Sequence, residues 1–376
     1  MDRMASAKIP PAALPDDDAG RLDWLRLLRS RRVGPATFIR LLREHGSAGA
    51  ALAALPAIAG EAGVRGYAPC SRAEAEAEWA AATAAGARAL LLGAPDYPAQ
   101  LALIPDPPPL LWARGDSGLA DRPAVALVGA RNASALGQRL ATRLAAELGA
   151  AGLVVVSGLA RGIDAAAHRA ALPTGTVAAL AGGLDRIYPP ENAGLAAEIA
   201  ATGLLLGELP PDYEPRPQDF PRRNRIVSGL ALGVVVVEGA LRSGSLITAR
   251  NAADQGREIM AVPGNPLDPR AGGCNQLIRD GATLVRSAED VLEAIAAFFV
   301  PVREAPASPS PLPADAPADA AAESRLLALL GPAPVAEDVL TRSLELSPAA
   351  VSAALLDLEL AGTVVRHPGG LVSRAV

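Results

Sequence analysis

Residues 153–168 read LVVVSGLARGIDAAAH. The apolar run at 153–156 has no polar alternation, which suits a strand buried on both faces in a helix-covered parallel sheet. Ser157 and Gly158 end the run, Gly162 permits a tight turn, and an alanine-rich helical pattern follows. Similar apolar runs recur on either side: AVALVG (124–129), TVAAL (176–180), LLLGE (204–208), GVVVVEG (233–239) and EIMAVPG (258–264). Helical patterns such as LGQRLATRLAAELGAAG lie between several of them. This alternation predicts an α/β fold, an extended Rossmann-like, doubly wound and mostly parallel sheet, assigned to residues 86–300.

The flanks read differently. Residues 1–20 are rich in Pro, Asp and Ala and are predicted to be disordered. Residues 21–85 are predicted helical, and VGPAT (33–37) punctuates two helices as in a helix–hairpin–helix (SAM-like) module. Across 21–65, eight arginines oppose Asp23, Glu44 and Glu61. A packing module and a DNA-contacting one both fit that segment. ALLLGAPDYP reads as a strand and turn, and IPDPPPLLWARGD as an extended, proline-stiffened run. Residues 301–322 form a Pro/Ala linker. Residues 323–376 hold helical patterns and then GTVVRHPGGLVSR, a hairpin around Gly369–Gly370, which suggests a winged helix.

Half of the 376 residues are hydrophobic, enough for a sizeable core, and the net charge is −5. An acidic chain carries no nonspecific basic coat, so any polyanion site must be a local patch. Lys8 is the only lysine, and arginine has to supply that patch. Cys70 and Cys274 form neither a metal-ligand pattern nor a disulfide framework, which points to a reducing cytoplasm. With no signal-like core and no apolar run of membrane-spanning length, we expect a soluble cytoplasmic protein with no membrane partner.

Ligands of open parallel sheets bind beyond the carboxyl ends of the strands. The first such loop, GARNASALG, offers Gly129 and Arg131 before a helix whose amino end favours phosphate. Its spacing is not GxGxxG and no acidic ribose ligand follows, so no dinucleotide cofactor is expected. The second loop contributes Ser157, Gly158 and Gly162, with Asp164 placed for capping. His168 reads as a helical, partly buried hydrogen-bonding residue, since no nucleophile with an orienting group accompanies it. Ser243, Gly244 and Ser245 stand at another helix start, a second phosphate cradle.

The stretch DFPRRNRIVSGL (219–230) gathers Phe220, Arg222, Arg223, Asn224 and Arg225. Arginine forks grip phosphates and an aromatic face stacks on an unpaired base, a combination suited to single strands. Tyr188, Tyr213 and Phe220, the aromatics between 125 and 285, are all expected in loops. Two alternatives stand: the arginines pair with the sheet's own acids, and Phe220 anchors the core. No Walker sequence, nucleophile elbow or metal-ligand cluster appears, so a binding protein with no catalytic residue, cofactor or metal fits better than an enzyme.

The segments VGARNASALG, SGLARGIDAAAHRAAL, GGLDRIYPPEN, FPRRNRIVSGL, SGSLITAR and VPGNP…GGCNQLIRDGA follow the order and spacing of the bacterial DNA-processing protein A family (DprA/Smf), which the chain resembles over about 90–290. The resemblance implies an extended Rossmann domain that binds single-stranded DNA, forms a homodimer, protects incoming DNA during natural transformation and loads the RecA recombinase. Gly129 and Arg131 match the family's G-[ST]-R segment, and Ser157, Gly158 and Gly162 its SG…GID turn. Phe220, Arg222, Arg223, Asn224 and Arg225 match F-x-x-RNR, and Ser243, Gly244 and Ser245 match SGS. Ala130, Asn132 and Gly207 depart from the usual pattern, and the family's pocket lysines are absent.

Two rivals remain. Related Rossmann folds hydrolyse nucleoside monophosphates, with Glu238 the candidate glutamate here, although the PGGxGT run is missing. A transcription regulator would use the winged helix, but residues 323–376 carry four arginines against six acids. The segment SPAAVSAALLDLELAG has no basic residue for phosphates, which favours a protein-contact or packing role.

Overall fold

The computed structural model describes residues 9, 13–298, 320–331, 334–344, 348–367 and 371–375. The chain divides into two compact units, Met1–Arg303 and Glu304–Val376.

The first unit opens with four helices, α1 (Asp18–Arg29), α2 (Pro35–His45), α3 (Ala48–Glu61) and α4 (Arg72–Ala84). Asp17 caps α1 by accepting from Gly20 N, Pro35 fills the first position of α2, and Ser71 with Glu74 forms a capping box on α4. Helix α1 thus begins three residues before the predicted start, and Ala13 is buried. The disorder expected over 1–20 does not hold from 13 onward, because Leu14 packs beside Gly93 and Asp17 is committed to the cap. Residues 1–8 and 10–12 lie outside the described residues. Arg29 of α1 grips Glu78 of α4 bidentately at 2.7 and 2.8 Å, and Trp24 Nε1 ties α1 to the proline-rich run by donating to Pro109 O at 2.9 Å.

The chain then forms β1 (Arg88–Leu91), β2 (Leu110–Gly115), β3 (Ala124–Val128), α5 (Ala135–Ala150), β4 (Val154–Ser157), α6 (Ile163–Ala171), β5 (Thr176–Leu180), α7 (Ala193–Thr202) and β6 (Leu204–Gly207). It continues through α8 (Asp219–Leu230), β7 (Gly233–Val236), α9 (Gly244–Asp254), β8 (Glu258–Ala261), α10 (Gly272–Arg279), β9 (Thr283–Leu284) and α11 (Ala288–Ala294). The sheet order is β1-β2-β6-β5-β4-β3-β7-β8-β9. From β6 across to β9 all neighbours pair in parallel, while β1–β2 and β2–β6 are antiparallel.

Both sheet faces are covered, as the unbroken apolar runs predict. Along β3, Val125 and Leu127 pack with Leu144 and Ile163 on one face, while Ala126 and Val128 pack with Ile226 and Val227 on the other. Each fully buried Val or Leu contributes about 1.5–3 kcal/mol. From β3 the chain winds outward to β6 and then returns to lay β7 on the other side of β3. The crevice at that reversal lies between the loops after β3 and β7, where this architecture places ligands.

Strands β2 and β9 were not read from the sequence as sheet members. The prolines at 107–109 lead into β2 and mask it, and β9 has only two residues. GVVVVEG and EIMAVPG, which the sequence left unplaced, become β7 beside the central β3 and β8 next to the edge.

In the second unit, α12 (Ala320–Leu329), β10 (Val335–Ala336), α13 (Glu337–Leu344), α14 (Pro348–Leu360), β11 (Val364–His367) and β12 (Leu371–Arg374) form a winged helix. Its sheet order is β10-β12-β11, over a core that includes Leu326, Leu340, Leu355 and Val372. Strands β11 and β12 pair antiparallel as the predicted hairpin requires, although its turn at Gly369–Gly370 lies outside the described residues. So does most of the predicted linker, residues 301–319; residues 320–322 belong to α12.

Candidate nucleic-acid interface

A cleft of about 770 Å³ opens at the crevice between β3 and β7. Its walls come from the loops after β3, β4 and β7, from α8 and from the amino end of α9. Nine predicted site residues line it: Gly129, Arg131, Gly158, Phe220, Arg223, Asn224, Ser243, Gly244 and Ser245. Ser157, Gly162, Arg222 and Arg225 do not.

The mouth of the cleft holds an aromatic–cationic row. Arg131 Cζ sits 5.1 Å from the centre of the Phe220 ring. Tyr188, 49% exposed, meets Phe220 edge-on, with centroids 5.4 Å apart. Phe220 therefore neither lies in a loop nor anchors the core; it stands half-buried in the first turn of α8. Among the described residues, neither Arg131 nor Arg242 pairs with a carboxylate, and both are exposed on the cleft. The SGS motif begins one residue after Arg242 and so leaves it out; an arginine before a helix-capping serine was the available signal.

The glycines of the second loop are required sterically. Gly162 has φ 73°, and a Cβ there would lie 2.3 Å from Ala130 O and 2.7 Å from Arg131 O. Only glycine allows the loop bearing Arg131 to sit so close. Ser157 is buried, and its hydroxyl donates to Leu127 O at 2.6 Å, so its role is to tie β4 to β3. His168 makes the expected hydrogen bond, its Nδ1 2.7 Å from Thr176 Oγ1, but is fully buried rather than partly so. Burial brings its imidazole down to about 3, with the Arg223 charge adding to the effect.

The arginine cluster splits, and the reason is geometric. Residues 219–230 are a helix, and successive helical residues point 100° apart, so Arg222, Arg223 and Arg225 cannot share one face. Arg223 turns inward and is 7% exposed, with Nη1 donating to Gly158 O and Ala179 O. Burial lowers its guanidinium to about 10, opposed by Asp164, and it remains charged at neutral pH. Asp164 in turn accepts from Gly158 N at 3.1 Å and Ala160 N at 3.3 Å, and burial raises its carboxyl.

Arg225 lies across the helix from the cleft. Its Nη2 meets both oxygens of Glu208 at 2.7 and 2.8 Å, and its Nε is 3.2 Å from Asp106. This is the internal pairing that the sequence allows as the alternative for the cluster, so Arg225 is no free phosphate ligand. Arg222 is exposed on the same far side. Asn224 bridges α8 to α9, its Nδ2 donating to Gly244 O at 3.3 Å.

Of the two helix ends expected to cradle phosphate, one is closed. Glu238 accepts from Ser134 N at 2.9 Å and from Ser134 Oγ, and Ser134 Oγ accepts from Gly137 N. The protein's own carboxylate thus occupies the amino end of α5. The amino end of α9 stays open: Ser243 caps it by accepting from Ser245 N, and Gly244 is exposed.

The comparisons cover each part of the chain. The family model described as DNA recombination-mediator protein A matches residues 88–296, the DprA-like N-terminal HHH domain matches 18–81, and the DprA winged helix domain matches 309–370. DNA processing protein DprA of Bacillus subtilis is 45% identical over 211 residues, covering 55% of this chain and 71% of that protein. Protein Smf of Escherichia coli is 40% identical over 291 residues, covering 73% and 74%. Among solved structures, DprA from Streptococcus pneumoniae superposes with a TM-score of 0.56 at 40% identity, over 59% of this chain and 77% of that one. The Helicobacter pylori protein, whose structure concerns its single-stranded DNA binding mode, gives 0.52 at 31% identity, over 57% and 98%.

Proposed function

The chain belongs to the DprA/Smf family of DNA-processing proteins, and we propose that its cleft binds single-stranded DNA without catalysing a reaction on it. The row of Arg131, Phe220 and Tyr188 at the cleft mouth carries this reading. Arg131 and Arg242 offer unpaired guanidinium groups to phosphates, and the half-exposed Tyr188 ring offers an aromatic surface to an unstacked base. The amino end of α9, with Gly244 exposed, adds the positive end of a helix dipole on the same wall. A duplex keeps its bases stacked inside, so the aromatic row has nothing to bind there.

The same reading extends to the cellular role: a cytoplasmic homodimer that protects incoming single strands during natural transformation and loads RecA. Family membership and the description of the matched domain as a recombination mediator support it. The rival, a nucleoside monophosphate hydrolase, would need Glu238 as a free carboxylate, whereas Glu238 is taken up by the α5 cap.

The test is competition between single-stranded and duplex DNA across a salt series, for the native chain and Arg131→Ala. Preference for single strands, with the log–log salt slope reduced by about 0.7 in the variant, is the expected result. Equal affinity for duplex, or an unchanged slope in a folded variant, would overturn it.

A further inference from the structure

Helix α8 has a second charged face, and we infer that it extends the strand's path beyond the main cleft toward the hairpin between α1 and α2. This rests on the single-strand reading of the cleft. The main cleft shares Pro221 and Ile247 with a neighbouring groove of about 460 Å³, lined also by Arg222 and Arg225. That groove in turn shares Asp106, Arg222 and Arg225 with a third of about 480 Å³, which reaches Arg32. The three grooves thus adjoin in succession and outline a channel around α8.

The charge along this channel favours a phosphate chain. Five arginines line the third groove against three carboxylates, but Glu78 holds Arg29 from outside the groove and Arg223 is buried, so the free charge is that of Arg32 and Arg222. Those carboxylates are already engaged: Glu208 and Asp106 hold Arg225, and Asp219 accepts from Arg216 N at 2.8 Å and Tyr213 Oη at 3.1 Å. Arg32 and Arg222 are both exposed and, among the described residues, pair with no carboxylate.

Arg32 stands at φ 66°, a conformation that glycine adopts at lower cost. A cation therefore sits at a position where the backbone alone would favour glycine. This makes Arg32→Gly a clean probe, because it removes the charge while relieving the backbone.

The experiment compares oligothymidylates of about 6 and about 20 nucleotides, within and beyond the usual site size of one single-strand module. In the native chain the longer strand is expected to bind with the steeper salt slope. Arg32→Gly combined with Arg222→Ala is expected to weaken the 20-mer about tenfold and cut its slope by about 1.4, two phosphate contacts' worth, while leaving the 6-mer unchanged. An unchanged 20-mer, or equal losses on both strands, overturns the extended path. Arg131→Ala separates the two levels: if it weakens the 6-mer while the double variant changes nothing, the main cleft stands and the extension falls. If Arg131→Ala leaves the 6-mer unaffected, the single-strand reading itself fails.

Discussion

The guanidinium of Arg223 occupies the space that a side chain at residue 158 would need. A Cβ on Gly158 would lie 2.6 Å from Arg223 Cζ, and Gly158 O accepts from Arg223 Nη1. Glycine and arginine lie on different elements, the loop after β4 and helix α8, and together they make one wall of the cleft. The pair shows how a charged residue is accommodated there: its guanidinium is satisfied by two backbone carbonyls, that of Gly158 just after β4 and that of Ala179 in β5.

Gly158→Ala should therefore displace Arg223 and disturb the cleft from inside. Overpacking of this kind costs about 1–3 kcal/mol, and loss of the charge-assisted bonds moves the value toward the upper end. Urea denaturation reads the stability, and oligothymidylate binding should weaken in the same variant. A variant of native stability and native affinity would show that the wall tolerates the methyl group.

Arg131 and Arg225 should separate binding from folding. Arg131 is exposed over Phe220, whereas the Arg225 side chain is only 11% exposed and held by Glu208 and Asp106. Breaking a buried pair costs about 3–5 kcal/mol, and the half-exposed Asp106 places Arg225→Ala near 3. We expect Arg131→Ala to lose single-strand affinity at native melting temperature. Arg225→Ala should lose stability, with short-strand affinity retained in the folded fraction. Thermal melting and fluorescence anisotropy on the same samples decide it.

Acid should unfold the first unit partly through His168. Its folded value of about 3 lies below the ordinary 6.5, so the native protein holds it neutral while the unfolded chain takes up a proton. That contribution is fully present above pH 6.5 and is lost as pH falls from 6.5 toward 3, at about 1.4 kcal/mol per pH unit. Asp164 works in the opposite direction: burial raises its carboxyl, so falling pH through its folded value toward 3.8 favours the native state. His168→Gln keeps a polar partner for Thr176 and removes the titration. Urea midpoints between pH 7 and 4.5 should fall steeply for the native chain and less for the variant.

The sheet was legible because buried parallel strands leave unbroken apolar runs, and β3 to β8 all carry one. The loop residues were legible for the same reason, since they come directly after those runs. The arginine cluster splits because adjacency along a helix is not adjacency in space. Phe220, Val227 and Leu230 in DFPRRNRIVSGL fall at helical spacing, and Pro221 is tolerated in a first turn, so the helix could have been found. The partners could not. Asp106 and Glu208 reach Arg225 from separate segments, and Glu238 reaches Ser134 across 104 residues. Such pairings depend on strand order, which local pattern does not encode.

Glu238 supplies the sharpest contrast between a binding protein and a hydrolase. Its carboxylate sits against the amino end of α5, 2.9 Å from Ser134 N, and a Cβ on Gly137 would lie 2.5 Å from Glu238 Cδ. Removing a helix-capping acceptor costs about 0.5–2 kcal/mol, so Glu238→Ala should be destabilised within that range. The loss of a negative charge near Arg270 of the cleft wall should leave strand affinity equal or slightly higher. A hydrolase would show the opposite pattern: release of free base from nucleoside monophosphates by the native chain, abolished in Glu238→Gln. We expect no release from either protein, measured by chromatography of the reaction mixture, and base release dependent on Glu238 would replace the binding reading with the enzymatic one.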